Sequence, residues 1–309
     1  MSRKKVLFLV GPTASGKSRI GIYLAKKLKG SLISADSMQV YKEMNIGTAK
    51  PPPKERKSVP HYLVDMISPA RSYSVYEWRK EALEAIQEII GKNRLPIVVG
   101  GSGLYIQALT QGLAKQSPAD PKVRKKFSGL AGKKGLPYLY ELLKKKDPAS
   151  AKKIHPNDKK RIIRALEIYE LTGKTKSEWA KKTESLSDLG YSFRIIGIQY
   201  PREVLYQRIE SRIDEMLKQG LVKEVRQLSK KRLSKTSSQS LSYREILASL
   251  KGKIPMIEAV DLLKKNTRNF AKRQITWFRH EKRIRWIDVQ GKSLEKIYQN
   301  IRKELKGWI

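Results

Sequence analysis

A chain of 309 residues with 39 % apolar content is long enough for one large domain or two ordinary ones, which excludes a disordered or fibrous polymer. Lys and Arg number 66 against 29 Asp and Glu, a formal net charge of +37, so an anionic partner is expected, although solubility alone can also carry such an excess. The absence of cysteine excludes disulfides, thiolate zinc sites and cysteine nucleophiles, and no run approaches the roughly 18 apolar residues of a membrane span.

The first residues, Met1 to Lys5 followed by five apolar positions, are too short for a secretory signal and set the expectation of a cytoplasmic protein without membrane contact. Residues 6–10 have strand length. A helical pattern follows over about 17–28, then a strand at 31–34, a helix near 75–90 and a strand at 96–99. This alternation predicts βαβ units and a parallel sheet. Over 115–189 the strand signals vanish, and helices broken by Gly and Pro carry lysine clusters at 144–146 and 159–161. Residues 194–199 return to the sheet, a long helical pattern runs over about 203–228, and the Ser/Lys-rich stretch 230–242 reads as a mobile loop. The remainder is mainly helical, with a late strand at 285–289. The expected fold is α/β, a P-loop-type parallel core over 1–114 and 191–309 interrupted by a helical insertion at 115–190. Residues 1–113 hold 18 basic and 8 acidic side chains against 48 and 21 in the rest, so the partner is expected mainly on the second part.

Gly11-Pro12-Thr13-Ala14-Ser15-Gly16-Lys17-Ser18 fits the pattern G-x-x-x-x-G-K-[ST], placed between a strand and a helix as the motif requires. Backbone N–H groups converge on an anion, the helix N-terminus adds a partial positive charge, Lys17 adds a full one, and Ser18 can ligate Mg²⁺. A ligand with at least two phosphates is expected; a ligand-free glycine turn is the alternative. The motif is shared with ATP-binding kinases and NTPases, but two features count against them. The strand 97–99 runs into Gly100-Gly101-Ser102-Gly103 without a carboxylate, whereas Asp36 ends the second strand, at the edge where open α/β sheets bind ligands. An Asp-Ser after a strand is also a common turn former, so the residues alone leave both roles of Asp36 open. Segment 264–285 carries nine Lys/Arg and one acid, Glu281, interleaved with Phe270, Trp277 and Phe278. It reads either as a solvated face over a buried aromatic stripe that includes Phe270 and Trp277, or as a phosphate-contacting face. His61, His155 and His280 lack metal spacing.

GPTASGKS (11–18), ISADSMQVY (33–41), IGTAKP (46–51), VPHYLVD (59–65), VVGGSGLY (98–105), RIIRALEIYE (161–170), RIDEMLKQGLVKEV (212–225), SYREI (242–246) and TRNFAKRQITWFR (267–279) together resemble the tRNA dimethylallyltransferases, also called tRNA isopentenyltransferases. The resemblance spans almost the whole chain. It implies a P-loop core for dimethylallyl diphosphate, a helical insertion that grips the anticodon arm, and Mg²⁺. The implied acceptor is N6 of the adenosine 3′-adjacent to the anticodon, in tRNAs reading codons that begin with U. By the same resemblance Asp36 hydrogen-bonds the acceptor amine, Ser37, Met38 and Gln39 continue the adenosine strip, and Ser102 stands for a catalytic threonine. Arg124 is a contact at the mouth of the reaction channel. Further tRNA contacts are implied at Lys160, Arg161, Ile162, Ile163 and Arg164, at Gln239, Ser240, Leu241, Ser242, Tyr243 and Arg244, and at Lys272, Arg273, Gln274, Ile275, Thr276, Trp277, Phe278 and Arg279. Three positions depart from the family: Ser102 for Thr, Ser242 for Gly, and Tyr62 for the second His of a Pro-His-His segment.

The exocyclic adenine amine is a poor nucleophile and a carboxylate a weak base, so Asp36 is expected to orient the amine and accept a proton as the C–N bond forms. Most of the barrier is expected to fall through the leaving group, with Lys17, the cradle amides, Ser18-bound Mg²⁺ and Ser102 stabilising diphosphate. The acceptor base must leave its stack to react. The alternatives are a P-loop kinase or NTPase acting on a small acceptor, an adenylate prenyltransferase acting on free nucleotide, and a non-catalytic RNA-binding module. Nothing in the sequence demands more than a monomer.

Overall fold

A computed structural model describes residues 4–113, 120–179 and 183–309; residues 1–3 and the expected boundary between 114 and 115 lie outside them. Six strands, β1 (Lys4–Val10), β2 (Gly30–Ala35), β3 (His61–Tyr62), β4 (Leu95–Gly100), β5 (Tyr191–Gln199) and β6 (Ile284–Asp288), form one sheet in the order β3-β2-β4-β1-β5-β6. Every neighbouring pair is parallel, as the alternating pattern predicts. The helices are α1 (Lys17–Lys27), α2 (Pro53–Ser58), α3 (Val75–Gly91), α4 (Gly103–Thr110), α5 (Pro121–Lys146), α6 (Pro148–Ala151), α7 (Lys159–Thr172), α8 (Lys176–Trp179), α9 (Arg202–Lys218), α10 (Leu221–Ser229), α11 (Leu241–Leu250), α12 (Met256–Arg279) and α13 (Leu294–Glu304).

β1 shows why the sheet is covered on both faces. Strand side chains alternate sides, so Val6, Phe8 and Val10 enter one core cluster and Leu7 and Leu9 the other, all five wholly buried. Each such side chain gains roughly 1.5–3 kcal/mol on burial. The end of β2 is fixed from α3, where buried Trp78 donates its indole N–H to the Ser34 carbonyl at 3.0 Å and stacks on Tyr105 with ring centroids 4.3 Å apart. Helix α3 starts at a capping box formed by Ser74 and Glu77, which fixes its register.

The chain divides into two compact units, one of Met1–Thr110 with Leu186–Ile309 and one of Gln111–Ser185. The second holds α5 to α8 around its own core of Phe127, Leu139, Leu143, Ile162 and Leu166. Its helix α5 breaks at Gly135 (φ 82), just before Pro137.

Two local expectations are corrected. The long pattern at 203–228 is two helices, because Gly220 (φ 99) ends α9 and begins α10. The stretch 230–242 is not a free loop. Ser234 and Ser237 are buried, the Ser234 amide and the Ser237 hydroxyl donate to the Pro69 carbonyl at 2.8 and 2.7 Å, and a 3₁₀ turn at Ser237–Gln239 leads into α11.

Candidate active site

The cradle leaves the carboxyl end of β1 at the middle of the sheet. Gly16 takes φ 78, a left-handed conformation that suits glycine, and α1 begins on the next residue with no acid in its first turn. Its positive end is therefore not compensated by its own side chains. Lys17 folds back over the loop and donates to the Pro12 carbonyl at 2.9 Å. Burial pushes its pKa down to about 8, against the pull of Asp36 and helped by the repulsion of Arg212.

Two arginines of α9, to which the sequence reading gives no role, complete the cradle. Arg208 donates to the Ala14 carbonyl at 3.0 Å, and Arg212 donates to the Thr13 hydroxyl at 3.3 Å. Burial also lowers the pKa of Arg212, with Asp36 opposing and Arg208 adding to the shift. Among the described residues, none of Lys17, Arg208 and Arg212 has a carboxylate within ion-pair distance. Three cations gathered without a paired acid form a site for a multivalent anion. The i,i+4 spacing of Arg208 and Arg212 on α9 was the available sequence signal.

Opposite the cradle stands the turn after β2. One oxygen of Asp36 accepts the Met38 N–H at 2.9 Å, so the turn-forming role is present alongside a carboxylate that lines a cavity of about 210 Å³. Ser102, in the turn after β4, accepts the Ser37 N–H on its hydroxyl oxygen at 3.2 Å, and its amide donates to the Ala35 carbonyl at 3.2 Å. The hydroxyl proton thus remains available for a ligand. Gln39 has its amide engaged within the protein: it accepts from Ser34 and donates to the Thr48 and Ala49 carbonyls. The turn it binds is held by Glu224 of α10, whose carboxylate accepts the N–H groups of Asn45, Ile46 and Gly47 at 2.9–3.0 Å and the Tyr243 hydroxyl at 2.6 Å. The Ser242 hydroxyl donates to the Gly47 carbonyl at 2.9 Å, which is the use this chain makes of serine there, and Tyr62 bonds Glu88.

Lys17, Asp36, Ser102 and Arg212 line the same cavity, together with apolar Ile209 and Ile213 of α9 and the ring of Phe270. A second cavity, of about 1350 Å³, meets it at Lys17, Ser18 and Arg212. Phe270 departs from the buried-stripe expectation: it is 37 % exposed, with the Arg273 guanidinium 5.8 Å from its ring centre. Trp277 is half-buried and Phe278 fully buried.

The helical period sorts the remaining expected contacts. Lys272, Arg273, Thr276 and Arg279 are exposed on α12, Ile275 is half-buried, and Gln274 and Phe278 face inward. Gln239 and Arg244 are exposed, Leu241 is half-buried, and Ser240, Ser242 and Tyr243 are buried, with Ser240 and Ser242 lining the smaller cavity. In the helical unit Lys160 and Arg161 are exposed, but Ile162 and Ile163 lie in the core. Arg124 and Arg164 both bond the wholly buried Glu167, whose pKa is lowered by these partners despite burial pushing it up. No group of three His, Cys, Asp or Glu suited to a metal occurs among the described residues, and no helix among them is long and apolar enough to cross a membrane.

Residues 39–281 match the family model described as IPP transferase. The chain is 47 % identical over 301 residues to a tRNA dimethylallyltransferase of Carboxydothermus hydrogenoformans, covering 96 % of each chain. It is 46 % identical over 308 residues to one from a Thermoanaerobacter species, covering 98 % of each. Among solved structures, it is similar to the tRNA isopentenylpyrophosphate transferase of Bacillus halodurans, with TM-score 0.73, 38 % identity and coverage of 99 % and 96 %. It is also similar to a eukaryotic dimethylallyltransferase acting on tRNA, with TM-score 0.79, 30 % identity and coverage of 97 % of this chain and 77 % of the other.

Proposed function

Because the chain belongs to the IPP transferase family, we propose that it transfers the dimethylallyl group of dimethylallyl diphosphate to N6 of the adenosine 3′-adjacent to the anticodon, in tRNAs reading codons that begin with U. The observation that carries this reading is one small cavity holding an unpaired cationic cradle, a lone carboxylate and an apolar wall. The cations suit diphosphate, Ile209 and Ile213 suit a short prenyl chain, and Asp36 stands ready for an amine. A kinase or NTPase would have a carboxylate ending the strand beside β1, yet β4 ends in glycine and Asp36 follows β2 instead.

Bond breaking at the allylic carbon leaves positive charge on the prenyl group and negative charge on diphosphate. Lys17, Arg212 and the first-turn amides of α1 meet the second, and the Ser102 hydroxyl donates to it. Asp36 orients the amine through its carboxylate and takes the proton as the C–N bond forms. Ser18 fits a divalent ion: it sits in the first turn of α1, lines both cavities, and its hydroxyl bonds no protein group among the described residues. One hydroxyl with diphosphate oxygens and waters is a donor set for Mg²⁺, which when bound would neutralise charge on diphosphate. A monomer working in the cytoplasm is part of the proposal.

Labelled dimethylallyl diphosphate with Mg²⁺, offered either tRNA or AMP, tests the reaction. Label on tRNA alone is expected. Label on AMP would instead make the protein a free-nucleotide prenyltransferase, and nucleotide hydrolysis without label transfer would make it an NTPase.

The anticodon arm is expected to meet exposed cations such as Lys272, Arg273 and Arg279, for which no ion pair occurs among the described residues. Each phosphate contact releases condensed counterions, so log affinity should fall with log salt by roughly 0.7 to 0.9 per contact. Replacing the three by Gln should make that slope shallower by up to about three contacts' worth and leave dimethylallyl diphosphate affinity unchanged. A salt series on wild type and variant decides it. An unchanged slope would make this face merely solvated and move the footprint to Lys160 and Arg161.

A further inference from the structure

Gln274 stands within the basic segment of α12 but faces inward. Its carbonyl oxygen accepts the Thr13 N–H at 2.8 Å, and its amide nitrogen donates to the Gly101 carbonyl at 2.9 Å. The approach is close: a Cβ on Gly101 would lie 2.3 Å from that nitrogen and would push the Gln274 amide off its partners. Its two partners sit in different loops: Thr13 in the diphosphate cradle, and Gly101 just before Ser102. Thr13 in turn receives Arg212, and Ser102 receives the amide that follows Asp36. One side-chain amide therefore ties the cradle to the Ser102 turn, which in turn holds the amide after Asp36, and it does so from the helix whose outer face carries Lys272, Arg273 and Arg279.

We propose that Gln274 is a positioning residue for the transfer reaction: it sets the spacing between the cradle and the Ser102 turn, and it keys that spacing to the helix that meets tRNA. This rests on the transfer reading given above. Misplacement of reacting groups by about 1 Å is enough to cost on the order of 100-fold in rate. RNA contact through the amide is disfavoured because both of its ends are already engaged in the interior.

Gln274→Met keeps the length of the side chain and removes both bonds. It should lower kcat about 10- to 100-fold and raise KM for dimethylallyl diphosphate several-fold, while tRNA affinity stays within about twofold and its salt slope is unchanged. Gln274→Asn, one methylene short, reaches only one partner and should show a smaller loss on the same side. Native-like tRNA binding certifies that each variant is folded. Retained turnover in both variants would overturn the proposal. Loss of tRNA binding in both would also overturn it, making Gln274 an RNA contact or a prop of the fold. A wild type that transfers no label would overturn the transfer reading and this proposal with it, whereas a wild type that transfers while the variants keep full turnover overturns this proposal alone.

Discussion

Asp36→Ala should lower kcat by about 10²–10⁴-fold with little change in tRNA affinity, because proton acceptance is used only as the bond forms. Alanine also removes the bond to the Met38 amide, which is worth about 1 kcal/mol and could loosen the turn. Asp36→Asn separates the two effects. Its side-chain oxygen can still accept from Met38, but it cannot take a proton from the amine. Asparagine should therefore be nearly as slow as alanine. An Asn variant with near wild-type kcat would reduce Asp36 to a turn former, and a collapse of tRNA binding in both variants would do the same.

Lys17→Ala is expected to cost about 10²–10³-fold in kcat/KM for dimethylallyl diphosphate, the range seen when a single preorganised group facing developing charge is removed. The loss should divide between KM and kcat, since the ammonium meets charge on bound diphosphate and more charge as it departs. Arg212→Met should act in the same direction. Burial and then the Arg212 guanidinium hold the Lys17 pKa down, against Asp36, and the repulsion between the two cations is relieved when an anion enters. Removing Arg212 therefore eases Lys17 in the empty protein, and the pair of substitutions should not be additive in turnover. Steady-state kinetics with varied donor at saturating tRNA reads the division. Turnover at wild-type level in Lys17→Ala would show that the phosphates lie elsewhere.

What could be read from the sequence follows how far apart the interacting groups lie along the chain. The cradle was legible because eight consecutive residues between a strand and a helix fix its backbone, and Asp36 because it directly follows β2. The sheet was legible for a similar reason: β1, β2, β4 and β5 are short apolar runs, and their observed limits extend the expected ones by a few residues. The clamps were not. Arg208 meets Ala14 across 194 positions, Arg212 meets Thr13 across 199, and Gln274 meets Thr13 across 261, and no periodicity encodes such pairings. The family resemblance named segments and treated each as a unit. Within a helical segment only some residues can face a partner, so Ile162, Ile163 and Phe278 went into cores while their neighbours stayed outside.

The position of β1 between β4 and β5 has a consequence for how the protein is made. A ribosome delivers β1 and the cradle first, but the strand that closes the other side of β1, pairing Lys4 with Tyr191, emerges only after the whole helical unit has been synthesised. Until then Val6 to Val10 lack one of their two neighbours and most of their cover. Parallel pairing between such distant segments is slow to form and leaves apolar strand edges exposed meanwhile. The helical unit has its own core and contacts close in sequence, so it can fold while β1 waits. The nascent chain should accordingly depend on chaperone protection of its first hundred residues, and it gains a diphosphate cradle only once α9 and α12 have left the ribosome.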